Sequence, residues 1–286
     1  MGKKLAKVLS LFLILIYSLS LKVFGYTNKS VINFNKPKLN LFKEIFNENV
    51  NGMSTKEYEW YTVNRGDSSP MEIKNEATPW IPKYNCSYIG DTSKKYIYLT
   101  FDEGYENGYT APILDALKKH NAKAAFFVTK HYVKTNPELI KRMVDEGHLV
   151  CNHTASHPSM PRIKNQEKFN KEITDLEKSY EEVIGKPMPK YFRPPMGKYS
   201  ELSLYYTKEM GYKTVFWSFA YYDWEPNKQP SEQEAFNKIL KKTHNGAIFL
   251  LHAVSKTNAR IMDRLITEWE KQGYEIKSLD ELEKTT

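Results

Sequence analysis

Cysteine is nearly absent from this 286-residue chain. Two cysteines, Cys86 and Cys151, cannot build a disulfide scaffold or a four-cysteine zinc site. Glycine and proline number 13 and 14, too few for collagen-like repeats. No G-x-G-x-x-G and no P-loop follows any apolar run, which lowers the nucleotide-binding version of an α/β fold. No basic run is interleaved with aromatics, as a nucleic-acid groove would need. The apolar run from Val8 to Leu21 has 14 residues, broken by Ser10, Tyr17, Ser18 and Ser20. A bilayer span needs ~20.

What is present describes a folded protein. Apolar residues make up 41% and charged residues 27%, with 20 Tyr, 14 Phe and 5 Trp to offset the entropy of ordering. The net charge is +8. Lys3, Lys4 and Lys7 precede the apolar run, and Val23 and Gly25 occupy −3 and −1 of a cleavage site. Residues 1–25 therefore read as a secretory signal peptide. The other reading is an uncleaved signal anchor, because Lys22 and Phe24 make a poor cleavage region. Either way the body of the protein works outside the cytoplasm, touching a membrane only through this segment. Loss of Lys3, Lys4, Lys7 and Lys22 would leave +4, a mild aid to encounter with an anionic surface.

Residues 26–90 show no lasting period and read as an irregular extension wrapping a domain at 91–286. Leu39, Phe42, Ile45 and Phe46 could form one short helix, and Trp60, Tyr61 and Trp80 are expected packing anchors. From Tyr96 onward, apolar runs rich in β-branched and aromatic residues alternate with helical periods. The runs are Tyr96–Phe101, Ala124–Val128, His148–Cys151, Tyr191–Phe192, Thr214–Phe219, Ala247–Leu251 and Tyr274–Ile276. Six helices are expected between and after them: Tyr109–His120, Pro137–Glu146 with Asn136 as N-cap, Gln166–Ile184, Ser200–Met210, Ser231–Lys242 and Thr257–Lys271. Serial βα units imply about seven parallel strands, in a closed (β/α) barrel or an open doubly wound sheet. Either architecture puts chemistry at the carboxyl ends of the strands.

The strand ends carry the polar residues. Asp102 and Glu103 follow the first run, where one could bind a metal and the other act as a base. Such residues are also ordinary caps and turns. His153 and His157 follow the third run at a spacing that lets two imidazoles share a metal. Pro158 disfavours α conformation at His157, so a tight turn or a single helical turn is expected. Arg193, before Pro194, Pro195, Met196 and Gly197, could hold a carboxylate and lower its pKa. His252 closes the sixth run, and Asp223 is available to orient it as a general acid.

In order, T-F-D-E-G at 100–104, H-T-A-S-H at 153–157, R-P-P-M-G at 193–197, D-W at 223–224 and L-L-H at 250–252 form a specific set. The set resembles the polysaccharide deacetylases, carbohydrate esterase family 4 with its NodB homology domain. The match runs from about Lys95 to Leu282. The resemblance implies a distorted (β/α) barrel. It also implies a divalent metal, zinc first and other divalent ions open, on His153, His157 and Glu103. Asp102 would be the base, kept ionised by Arg193, and His252 the acid, oriented by Asp223. The Met196 N–H would serve the oxyanion. Leu250, Trp224 and Pro195 would contact substrate.

Residues 105–110, Phe216-Trp217-Ser218 with Ala220, and 250–255 with Asn258-Ala259 are similar to the branch that deacetylates N-acetylmuramic acid in spore-forming bacteria. A monomer is expected, and that similarity implies action on peptidoglycan strands that lack the stem peptide. It leads to muramic δ-lactam in spore cortex. Two residues depart from the wider family: Glu103 stands where most members carry a metal-binding Asp, and Ala220 where many carry another Asp.

Other readings are a deacetylase of N-acetylglucosamine in peptidoglycan or chitin-like polymers, a glycosidase using Asp102 and Asp223, and a non-catalytic wall-binding module. Cys86 and Cys151 could pair, although Cys151 suits a small apolar role in a buried strand. His120, His131, His148 and His244 receive no site.

Overall fold

The computed structural model describes residues 52–61 and 79–282, all within one unit, Gly52–Thr286. The expected leader at 1–25 and the expected helix at 39–46 lie outside the described residues. The strands are β1 (Tyr58–Glu59), β2 (Cys86–Ser87), β3 (Tyr96–Glu103), β4 (Ala124–Val128), β5 (Leu149–Asn152), β6 (Tyr191–Phe192), β7 (Lys198–Tyr199), β8 (Lys213–Val215), β9 (Phe219–Ala220), β10 (Ala247–His252) and β11 (Glu275–Ile276). The helices are α1 (Trp80–Lys83), α2 (Thr110–Lys119), α3 (Lys130–Thr135), α4 (Pro137–Asp145), α5 (Gln166–Ile184), α6 (Glu201–Glu209), α7 (Glu232–Lys241) and α8 (Lys256–Lys271).

One parallel sheet runs in the order β2-β8-β6-β5-β4-β3-β10-β9, with β11 beside the start of β3. The segment 213–220 decides between barrel and open sheet. As β8 it pairs with β6 and β2, and as β9 it pairs with β10. Between them, the Phe216 amide donates to the Ser87 carbonyl and the Ser218 amide to the Ile248 carbonyl. One stretch of chain thus joins the two ends of the sheet and curls it into a distorted barrel. The run Thr214–Phe219, expected as a single strand, is split between β8 and β9. β2 falls within the expected extension, since two residues are too few to show a period.

Strand alternation divides the core in two. On β3, Ile97, Leu99 and Phe101 face a core shared with the helices, whereas Tyr98 faces the barrel interior. The expected stripe on α5 is buried at Phe169, Ile173, Leu176 and Tyr180, each contributing on the order of 2 kcal/mol. Asn165 caps that helix by accepting from the Lys168 amide, and Gly185 ends it at φ 73°. Asn136 occupies the N-cap position of α4 as expected, but its side chain makes no capping bond and its amide instead donates to the Tyr132 carbonyl at 3.2 Å. The short helices α1 and α3 were not legible in the sequence.

The extension contributes Trp60, Ile81, Tyr84 and Cys86 to the inner core. Trp60 is buried, stacks on Phe216 at 4.2 Å and donates its indole N–H to the Trp217 carbonyl at 2.9 Å. Trp80 packs edge-on against Tyr58 at 5.4 Å. Tyr61, expected as an anchor, is 66% exposed because the chain turns it toward the pocket rather than the core. Cys86 and Cys151 are both free and buried in the inner core, so no disulfide joins them. Burial pushes the Cys86 thiol up to about 12 and Cys151 well above its usual value.

Candidate active site

Parallel pairing brings two of the candidate residues together. Asp102, next to last on β3, and His252, last on β10, are register partners. Both line a cavity of about 980 Å³ at the carboxyl ends of the strands.

Asp102 is buried, and Oδ1 accepts from Arg193 Nη1 at 2.8 Å. Burial alone would raise its pKa. The facing charges of His153, Arg193 and His252 outweigh burial and hold the carboxyl below its usual value. Arg193 is the constant among them, since burial pushes the His153 imidazole down to about 4. The guanidinium is fully buried and fixed from three sides. Nε donates to the Val215 carbonyl at 3.0 Å and Nη2 to the Phe216 carbonyl at 3.3 Å, while the group lies 4.1 Å from the Phe127 ring centre.

The histidine turn is built from backbone. Thr154 and His157 both adopt positive φ, 73° and 58°, which is the tight turn expected before Pro158. Asn152 Oδ1 accepts from the Thr154 amide at 2.9 Å, and Thr154 Oγ1 accepts from the His157 amide at 2.9 Å. The two imidazoles stand edge to face, 5.0 Å between centres. His153 Nδ1 donates to the Arg193 carbonyl at 2.8 Å, so Nε2 carries the lone pair. That Nε2 lies 3.5 Å from Asp102 Oδ2, inside the pocket. Burial lowers the pKa of His157 as well. Two neutral imidazoles, one oriented by a backbone carbonyl, are the donors a divalent metal requires.

The third expected ligand is not brought there. Glu103 is fully buried but does not line the pocket, and neither carboxylate oxygen has a hydrogen-bond partner. Its register partner on β4 is Val128, in the outer core, whereas the partner of Asp102 is Phe127, in the inner one. Alternation along β3 therefore sends the two adjacent carboxylates to opposite faces. Burial, with Glu106 and Asp102 nearby, raises the Glu103 pKa well above its usual value. Among the described residues, no group of three His, Cys, Asp or Glu is arranged to hold a metal ion. The residues present fit a two-histidine site.

The His252 side is equally ordered. Asp223 is fully buried, and its Oδ1 accepts from His252 Nδ1 at 2.7 Å. Burial would lower the His252 pKa, but Asp223 raises it above the usual imidazole value. Asp223 lies behind the imidazole and outside the pocket lining, so it cannot act as a sugar-facing carboxylate paired with Asp102. Trp224 is 47% exposed with its ring 5.8 Å from His252, and Leu250 and Ala220 line the pocket. Met196 stands at the rim with φ 58°, followed by Gly197 at φ 63°. Pro195, expected to contact substrate, is buried behind this turn and does not line the pocket.

Several pocket residues escaped the sequence reading. Glu59, Trp60 and Tyr61 come from the extension, and His131 from the first turn of α3. The strand-end rule would have found His131, because β4 ends at Val128. Nothing local marks the extension residues, whose position depends on β1 pairing with β7.

Residues 89–215 match the polysaccharide deacetylase family. The chain is similar to the peptidoglycan-N-acetylmuramic acid deacetylase PdaA of Bacillus subtilis, 46% identical over 74% of this chain and 81% of that protein. The solved structure of that family 4 carbohydrate esterase superposes with a TM-score of 0.77 at 43% identity, covering 80% of this chain and 97% of the other. A peptidoglycan-N-acetylglucosamine deacetylase of Bacillus cereus is 30% identical over 72% of this chain and 75% of its own. With five motifs in order, a parallel barrel to carry them and this identity over most of both chains, the protein belongs to the polysaccharide deacetylase family.

Proposed function

We propose that the protein hydrolyses the acetamide of N-acetylmuramic acid in peptidoglycan strands that have lost the stem peptide. The observation that carries this reading is the pairing of two differently held groups in one pocket. A carboxylate held below its usual pKa by Arg193 stands beside an imidazole whose pKa Asp223 raises. Opposite shifts of two neighbouring groups suit a base and an acid. The muramic preference rests on likeness to the Bacillus subtilis enzyme.

In this mechanism Asp102 takes a proton from water as the oxygen adds to the acetamide carbonyl carbon. The Met196 N–H donates to the developing oxyanion. His252, oriented by Asp223, protonates the amine nitrogen as the C–N bond breaks. Acetate leaves and the sugar keeps a free amine. Leu250 and Trp224 enclose the acetyl methyl, and Pro195 stiffens the turn from behind.

Enzymes of this family are metal-dependent in general. His153 and His157 would hold the ion, zinc fitting two neutral imidazoles with open positions, and it would supply Lewis acidity at the carbonyl. The enzyme acts outside the cytoplasm as a monomer, delivered by residues 1–25. The freed amine can close on the lactyl carboxyl as the δ-lactam of spore cortex. Among the described residues, no helix is long and apolar enough to cross a membrane.

Acetate release from peptide-stripped wall glycan, intact wall glycan and chitin oligomers tests the reading. Release confined to the stripped strands is expected. Equal release from chitin oligomers would replace the substrate with N-acetylglucosamine.

A further inference from the structure

Asp223 does not hold His252 alone. Its Oδ2 accepts from the His252 backbone amide at 2.9 Å and from Asn258 Nδ2 at 2.7 Å. The same Nδ2 donates to the His252 carbonyl at 3.1 Å. Asn258 is fully buried in the first turn of α8, so water cannot replace these bonds. It grips both the carboxylate and the backbone of the residue that the carboxylate orients.

A side-chain amide can sit either way round unless its oxygen is also claimed. Here the Tyr221 hydroxyl donates to Asn258 Oδ1. Burial and the nearby Asp223 raise the Tyr221 pKa, so the phenol stays protonated and remains a donor. With the oxygen engaged by Tyr221, the NH₂ end must face Asp223. Ser255 Oγ accepts from the Asn258 backbone N–H at 3.0 Å, and Gln229 Nε2 donates to the Asp223 backbone carbonyl at 2.8 Å. The segment 221–229 after β9 and the segment 252–258 after β10 are thereby locked together, with the Asn258 side chain at the junction.

We infer that Asn258, set by Tyr221, is a positioning residue for the His252–Asp223 pair. The inference rests on the proposed role of His252 as the acid. Buried polar networks of this kind are costly when one member is removed. Loss of the Asn258 donor frees the Asp223 carboxylate to turn away from Nδ1, and the imidazole then loses both its aim and its raised basicity.

The test compares wild type, Asn258→Ala, Tyr221→Phe and His252→Ala for acetate release from peptide-stripped glycan across pH. Asn258→Ala is expected to lower kcat by about tenfold with KM unchanged, a fraction of a full general-acid contribution. Its alkaline limb should move to lower pH. Tyr221→Phe preserves the volume and removes only the hydroxyl, so it covers the case in which Asn258→Ala fails to fold. It should show the same shift with a loss of about threefold. Asp102, Arg193 and His157 also act on His252 and are unchanged in these variants, so a moved limb reports Asp223. Wild-type kcat and an unmoved limb in folded Tyr221→Phe and Asn258→Ala would overturn the inference. If His252→Ala is also fully active, the acid role itself fails. If only His252→Ala is inactive, that role stands and the positioning role does not.

Discussion

Arg193 Nη1 lies 2.8 Å from Asp102 Oδ1, and the guanidinium is fully buried. The pair is therefore hard to break cleanly. Arg193→Met leaves a buried carboxylate without its cation, at a cost of about 3–5 kcal/mol. Urea unfolding should show that loss. The double variant with Asp102→Asn should recover part of it, because no uncompensated charge remains.

Asp102→Asn alone keeps an acceptor for Arg193 but cannot take a proton from water. Acetate release should fall by roughly 10²–10⁴-fold. Binding to peptide-stripped glycan, followed in a sedimentation assay, should persist. An Asp102→Asn protein that still releases acetate at the wild-type rate removes the base from Asp102.

The raised pKa of His252 fixes the sign of a pH effect. A group whose folded pKa is raised stabilises the fold below its unfolded value, and that contribution is lost as pH rises through the folded value. With His252 as the proposed acid, catalysis needs the same protonated form, so the rate should persist above the usual imidazole pKa and then decline. Asp223→Asn should move the alkaline limb of kcat/KM downward and flatten the stability profile over the same window.

Gly197 is placed where a side chain will not fit. A Cβ there would meet the Trp217 ring at 2.7 Å and Trp60 at 3.3 Å, with φ at 63°. The Gly197 carbonyl also accepts from the Trp60 amide at 2.8 Å. Gly197→Ala should cost ~1–2 kcal/mol for the left-handed backbone alone, beyond the clash. It should shift the Met196 amide and lower kcat more than it lowers the melting temperature would suggest.

Metal content separates the histidines from Glu103. His153→Ala and His157→Ala should each reduce bound zinc in equilibrium dialysis. Glu103→Gln should leave the stoichiometry unchanged, since β3 sends that side chain to the other face. Loss of zinc in Glu103→Gln would show that the carboxylate reaches the site when the ion is bound.

The amino-acid sequence by itself determined the serial βα units, because apolar runs and helical stripes such as Phe169, Ile173, Leu176 and Tyr180 are local patterns. It also placed Asp102, His153, His157, Arg193, Asp223 and His252 at strand ends, since polar residues after buried runs are visible without coordinates. Only tertiary structure decided what meets what. Segment 213–220 curled the sheet by pairing at both of its ends, a choice made by partners far away in the chain. Alternation on β3 parted Glu103 from Asp102, although they are neighbours in sequence. Buried hydrogen bonds then recruited Asn258 and Tyr221 behind Asp223, and β1 pairing carried Tyr61 to the pocket rim. Each of these depends on distances between residues that no local period records.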